Sequence, residues 1–322
     1  MPNNSNMPNN ANMPNNAKMP NNANIPNNVN IPNIANMIPD YITYPKKFKT
    51  FKWYKPFLVA LLTGVFYFLG SIINTIIVFA IELITGSQTS VFAAILNQGY
   101  DGMNVYTAPG AIASLGSVVW MLIALIIAVK IVKDRPLHSY SSSSGKGWSW
   151  GIFFKCFFPA LLVCGVPVAA DLVLIDGRVG VSQFTLAGLI LCIILGPLQC
   201  VAEEYIFRGL AMQTFGSWFK VPIIAIVLQT AIFASMHPYN FVGVLEVWTI
   251  GIALGISAWL AKGLEGSCAL HIVNNMTIFF LTGFGFGAIR TEESWRDFFL
   301  TFAISVVYVL ILDKMSKKGM LR

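Results

Sequence analysis

The chain has 322 residues, with 21 Lys and Arg against 14 Asp and Glu, and it is 56% hydrophobic but only 11% charged. A soluble domain carries roughly 25% charged residues, so this balance, with a mean hydropathy of +0.66, excludes that class and points to bilayer spans. The net charge of +7 does not indicate nucleic acid, because no basic patch interleaves with aromatics on a soluble domain.

Residues 1–36 are six hexapeptides: MPNNSN, MPNNAN, MPNNAK, MPNNAN, IPNNVN and IPNIAN. Such a segment cannot bury enough apolar surface to offset its ordering entropy, and proline in every repeat opposes strands. Residues 1–40 are therefore expected to form a disordered tail. It lacks the charged and apolar blocks of a signal peptide. Residues 41–56 mix aromatics with Lys46, Lys47, Lys49, Lys52 and Lys55, as an interfacial segment against anionic lipid would.

About 20 apolar residues span a bilayer. Candidate spans fall near 57–81, 110–132, 151–175, 184–202, 221–239, 241–261, 268–286 and 298–313. The expected class is an all-α polytopic membrane protein with about eight transmembrane helices, since helices satisfy their own backbone in lipid. Spans within 57–183 are read as accessory, 184–287 as the core, and 288–322 as a last helix with a basic tail. Lysine and arginine cluster in alternate connections, at 130–146, 208–220, 262 and 314–322. The positive-inside rule then places both termini in the cytoplasm. Cys156, Cys164, Cys192, Cys200 and Cys268 all fall in apolar stretches without a CxxC pair and read as packed thiols.

Charge is expensive in hydrocarbon, so the ionisable residues of the core stand out. "EEYIFRG" supplies Glu203, Glu204 and Arg208; "FASMH" supplies Phe233 and His237; "HIVNN" supplies His271 and Asn275. Glu204 and Arg208 are i,i+4 and can pair on one helical face. Glu203 is turned about 100° from Glu204 and is left free. His271 and Asn275 share a face, as do Phe233 and His237. One free carboxylate, two imidazoles and an amide can carry out hydrolysis by water, with a general base and oxyanion donors. Each piece alone has a plainer reading, as a buried ion pair or a core histidine. Glu246, Asp171, Glu82 and Lys155 read as helix-end or snorkelling residues. Gly251 and Gly255 form a GxxxG that packs helices.

The ordered motifs EExxxR, FxxxH and HxxxN within 184–287 resemble those of the CPBP intramembrane proteases. That family groups type II CAAX prenyl endopeptidases with bacterial Abi proteins that process bacteriocins or confer immunity to them. The resemblance implies an intramembrane endopeptidase acting on a peptide or membrane-tethered protein. Glu203 and His237 would activate water, His271 and Asn275 would hold the oxyanion, and Glu204 with Arg208 would be an orienting pair. Many descriptions name the family a metalloprotease, and a metal-free glutamate mechanism has also been argued for it. Glu203, His237 and His271 could hold zinc with an open position. However, no HExxH is present, and a metal-bound Glu203 would need another base. The reading leans to no obligatory metal and keeps zinc open. Two other functions stay open: a non-catalytic bacteriocin-immunity membrane protein, and a proton-coupled transporter. The expected partners are peptide substrate and lipid, not nucleic acid; oligomeric state is unknown from sequence.

The span ends raise a problem. If span four ends near 202 and span five begins near 221, Glu203 and His237 stand about 24 Å apart along the membrane normal. A helix break at Gly196-Pro197, or a deeper span five kinked at Pro238, is the expected remedy.

Overall fold

The computed structural model describes residues 40–85, 90–98, 103–288 and 292–321. The expected disordered tail lies outside the described residues except for Asp40. The elements are helices: α1 (Lys55–Thr85), α2 (Val91–Gln98), α3 (Ala108–Val132), α4 (His138–Ser141), α5 (Trp150–Asp176), α6 (Leu186–Phe219), α7 (Pro222–Ser235), α8 (Phe241–Leu260), α9 (Glu265–Gly283) and α10 (Trp295–Lys317). Among the described residues no β-strand forms, and two isolated bridges, Ser142 with Gly263 and Arg178 with Phe286, are the only extended pairings.

The all-α polytopic class holds. Among the described residues six helices are long and apolar enough to cross a bilayer, α1, α3, α5, α6, α8 and α10, and the other two expected spans are helices that are shorter or less apolar. The predicted span 221–239 is the shorter apolar helix α7. It stops because Met236 leaves helical geometry and Pro238 follows. The predicted span 268–286 is α9, displaced to Glu265–Gly283 and made less apolar by Glu265, His271, Asn274 and Asn275.

A correction concerns α6. The predicted break at Gly196-Pro197 does not occur, and Pro197 sits inside a continuous helix of 34 residues. Instead the helix widens into a π segment over Tyr205–Met212 and then returns to α geometry. π segments relieve ladder constraints and gather at functional sites. Helix α6 is roughly 51 Å long at 1.5 Å per residue, well beyond the hydrocarbon thickness of about 30 Å. Glu203 therefore sits near its midpoint.

That length removes the depth problem. The chain reverses at Lys220 and Val221, with Lys220 in the left-handed region at φ 61°, and α7 returns along α6. Glu203 lies about 24 Å from Phe219, and His237 about 22 Å from Pro222. The two residues reach one level.

The largest core cluster draws mainly on α5, α8, α9 and α10, with Leu254, Leu264 at the start of α9, Leu270, Tyr308 and Leu312 all fully buried. Helix α1 packs on α3 at the side and has few buried residues of its own. Asn240 caps α8 by accepting from the Gly243 N–H at 2.8 Å, and it also donates to the Glu293 carbonyl at 3.0 Å. At the lysine-rich end a polar clamp ties the α3–α5 connection to α6. Arg135 donates to the Gly209 carbonyl at 3.0 Å and to the Gln213 side chain. Tyr140 donates to Asp134 at 2.8 Å, and Tyr41 donates to the Tyr140 carbonyl at 2.6 Å. In segment 41–56, Tyr41 and Ile42 are thus buried, while Trp53 and Tyr54 are exposed. Gly216 admits Ile42, because a Cβ there would lie 1.7 Å from its Cγ2.

Candidate active site

Glu203 and Glu204 are consecutive on α6, at the threshold of its π segment. Glu204 is fully buried and pairs with Arg208 at 2.9 Å, also fully buried. Arg208 donates further to the Gly251 carbonyl at 3.1 Å and lies over the Phe233 ring, 4.6 Å from its centroid. Three helices thus share the cost of one buried guanidinium.

His271, on α9, stands between the two carboxylates. Its Nδ1 is 2.8 Å from Glu204 Oε1, and its Nε2 is 3.4 Å from Glu203 Oε2. The sequence reading sends the two glutamates in different directions; in the fold both reach the same imidazole, from opposite sides. Only Glu203, with 13% of its side chain exposed, lines the adjoining cavity. Counted as ionised, the two carboxylates and Arg208 leave one negative charge. Both contacts have a carboxylate oxygen as acceptor, so the imidazole is the donor in each.

His237 follows the end of α7. Its Nδ1 is 2.9 Å from the Phe233 carbonyl. A carbonyl only accepts, so Nδ1 carries the proton and Nε2 keeps its lone pair. The ring packs against Phe233 at 4.7 Å and Tyr239 at 5.9 Å between centroids. Asn275, one turn beyond His271, donates to Gln199 at 3.4 Å and accepts from Asn274 at 3.2 Å.

Glu203, His237, His271 and Asn275 all line one cavity of about 200 Å³. Glu204 and Arg208 stand behind it. Sequence reasoning missed Gln199, Asn274, Tyr239 and Glu293, which line the same space. Gln199 had a usable signal, since it lies four residues before Glu203 on the same face. Tyr239 and Glu293 come from connections and have no periodic signature. Burial, with Glu293, Glu246 and Glu203 nearby, pushes the Tyr239 phenol above its usual range, so it stays a donor at neutral pH.

Residues given no chemistry have structural partners. Glu246 accepts from Thr301 at 2.6 Å. Asp171 pairs with Arg296 at 3.2 Å. Glu82 accepts from Ser90 at 3.0 Å and from the Val91 N–H at the start of α2. Lys155 donates to the Met320 carbonyl at 3.1 Å. None of the five cysteines forms a disulfide, and all are buried.

Among the described residues no three His, Cys, Asp or Glu side chains converge as a bound metal requires. Glu203, His237 and His271 border one cavity, and each imidazole anchors its Nδ1 on an oxygen, Glu204 for His271 and the Phe233 carbonyl for His237, the pattern that orients metal-ligating histidines in general. The donor types thus suit zinc although the three do not converge as ligands, and no step below passes through a metal.

Residues 184–277 match the family model described as type II CAAX prenyl endopeptidase Rce1-like. This stretch holds all three motifs, and the resemblance to that family is borne out over these residues. The chain is also similar to the uncharacterized protein YyaK of Bacillus subtilis (strain 168). That similarity is 25% identity over 215 residues, covering 60% of this chain and 71% of that protein. No solved structure matches. With six apolar helices and this match, the chain is a multi-pass membrane protein.

Proposed function

We propose that this multi-pass membrane chain, whose residues 184–277 carry an Rce1-like segment, is an intramembrane endopeptidase that cleaves a peptide or membrane-tethered protein with water activated by Glu203. The observation that supports this best is the convergence of Glu203, His237, His271 and Asn275, from two helices and a connection, on one cavity. Nothing in packing requires four polar groups to face the same space at membrane depth, and intramembrane ionisable groups are kept for function.

The roles follow from the proton inventory. Glu203 is the partly exposed carboxylate and takes a proton from water. His237 Nε2, free to accept, holds that water from the other side. The hydroxide adds to the scissile carbonyl carbon, and charge develops on its oxygen. The Nε2–H of His271 and the amide of Asn275 donate to that oxygen. Glu203 then returns its proton to the leaving nitrogen as the C–N bond breaks. Glu204 and Arg208 fix the His271 ring so that its Nε2 faces the reaction.

The test uses the full chain in lipid nanodiscs with two probes: a farnesylated peptide ending in a CAAX sequence, and an unprenylated peptide library read by mass spectrometry. Glu203→Gln and His237→Ala are each expected to lower cleavage by about 10²-fold or more at unchanged protein abundance. Both variants cutting as fast as the parent chain would overturn the assignment.

A further inference from the structure

Gln199 occupies a place that the motifs do not explain. It is only 6% exposed, yet it lines the cavity beside Glu203. Its Oε1 accepts from two sides, from Cys200 Sγ at 3.4 Å and from Asn275 Nδ2 at 3.4 Å. Asn275 Oδ1 in turn accepts from Asn274 Nδ2 at 3.2 Å, and Asn274 Oδ1 accepts from Cys164 Sγ at 3.6 Å.

These contacts form a directed relay. A thiol is a donor to an amide oxygen, so Cys164 at one end and Cys200 at the other both point their hydrogens inward. Each amide then spends a donor on the next oxygen. The direction runs from Asn274 through Asn275 to Gln199, and it ends with the Gln199 oxygen doubly occupied. The Gln199 Nε2, with two N–H groups, makes no hydrogen bond to another described residue. It is not one of the fully buried atoms left without a partner, so it meets the cavity that Gln199 lines, where water or a ligand can receive its hydrogens. Chained hydrogen bonds also polarise one another, which strengthens the last donor.

We infer that Gln199 is a further catalytic residue of this site: its Nε2 donates to the scissile carbonyl oxygen of a bound peptide beside Asn275. This rests on the endopeptidase reading above. The spacing suits it, because Gln199 and Glu203 share a face of α6 one turn apart. The carboxylate that activates water and the amide that receives the oxyanion are then held on one rigid element. Asn275 donates to Gln199 and to substrate with its two amide hydrogens, so the two side chains act as a pair.

The experiment compares the parent chain, Gln199→Met and Glu203→Gln in nanodiscs, on a peptide that the library shows to be cleaved. Methionine keeps the length of glutamine and removes the donor. Expected are a fall in kcat of about 10²-fold and a KM within about threefold of the parent, as for an interaction made mainly in the transition state. Melting temperature is followed alongside. If the Met variant fails to fold, Gln199→Glu, which keeps the shape and replaces the donor by an oxygen, enters the same comparison. A parent-like kcat in the folded variant, with Glu203→Gln inactive, overturns the role of Gln199 and leaves the endopeptidase standing. A parent chain that cleaves no peptide of either kind overturns both.

Discussion

Glu204 and Arg208 depend on each other. Both are fully buried, and neither charge has another ionic partner as close as 2.9 Å except His271 on the carboxylate. Removing one partner of such a pair leaves an uncompensated charge and costs about 3–5 kcal/mol, whereas replacing both with neutral groups of similar size costs far less. Glu204→Gln is thus expected to lower the thermal stability of the detergent-solubilised chain markedly, and Glu204→Gln with Arg208→Met to recover much of it. A single variant melting with the parent would refute this. The i,i+4 spacing made the pair legible in the sequence. The imidazole between Glu203 and Glu204 was not, because His271 is 67 positions from Glu204 and only packing brings them together. The three lysines in left-handed geometry, Lys133, Lys220 and Lys262 at φ 51°, 61° and 56°, show the same division. Their charge suits helix C-termini, but sequence gives no sign that they, rather than glycines, make the turns.

At the scale of elements, the contact between α7 and α8 sets the height and aim of His237. Gly251 and Gly255 make it possible. A Cβ at Gly251 would lie 2.9 Å from Thr230 Cγ2 and 3.3 Å from Phe233 Cδ1, and one at Gly255 would lie 3.0 Å from Gln229 Nε2 and Ile226 Cγ2. The Gly251 carbonyl is also an Arg208 acceptor. Gly251→Val is expected to cost about 1–3 kcal/mol by overpacking and to reduce cleavage by shifting Phe233 and His237. Thermal melting and cleavage rate check it, and a variant matching the parent in both sinks it. The small-xxx-small motif was readable as a packing device. The continuity of α6 was not, because a Gly-Pro pair ordinarily signals interruption, and here the neighbouring helices hold Pro197 within the helix.

At the scale of the molecule, the basic connections meet at one end. Lys55 donates to the Lys133 carbonyl, Ser143 N–H to the Lys262 carbonyl, and Trp218 to the Trp53 carbonyl. The other end is acidic, with Asp171, Asp176 and Asp297 around Arg296. Tyr239 and Glu293 border the cavity on that acidic side. We propose, from the positive-inside rule, that the basic end faces the cytoplasm and the cavity opens towards the outer side. In whole cells, Glu292→Cys is then expected to react with a membrane-impermeant maleimide, and Lys133→Cys only after permeabilisation. The native cysteines are buried and stay silent. The opposite pattern would reverse the orientation.

The sequence by itself determined the class, the bilayer as solvent, and the residues worth watching. Hydropathy and scarce charge are local properties, and a helix in lipid satisfies its backbone without help from elsewhere. Tertiary structure alone decided depth and partnership. Whether Glu203 and His237 share a level depends on where α6 ends and α7 turns back, which is fixed by packing and by one left-handed lysine. Whether Gln199 is an ordinary buried amide or the open end of a donor chain depends on Asn275, 76 residues away. The stretch "EEYIFRG" named the carboxylates; α9 gave both of them one neighbour, His271.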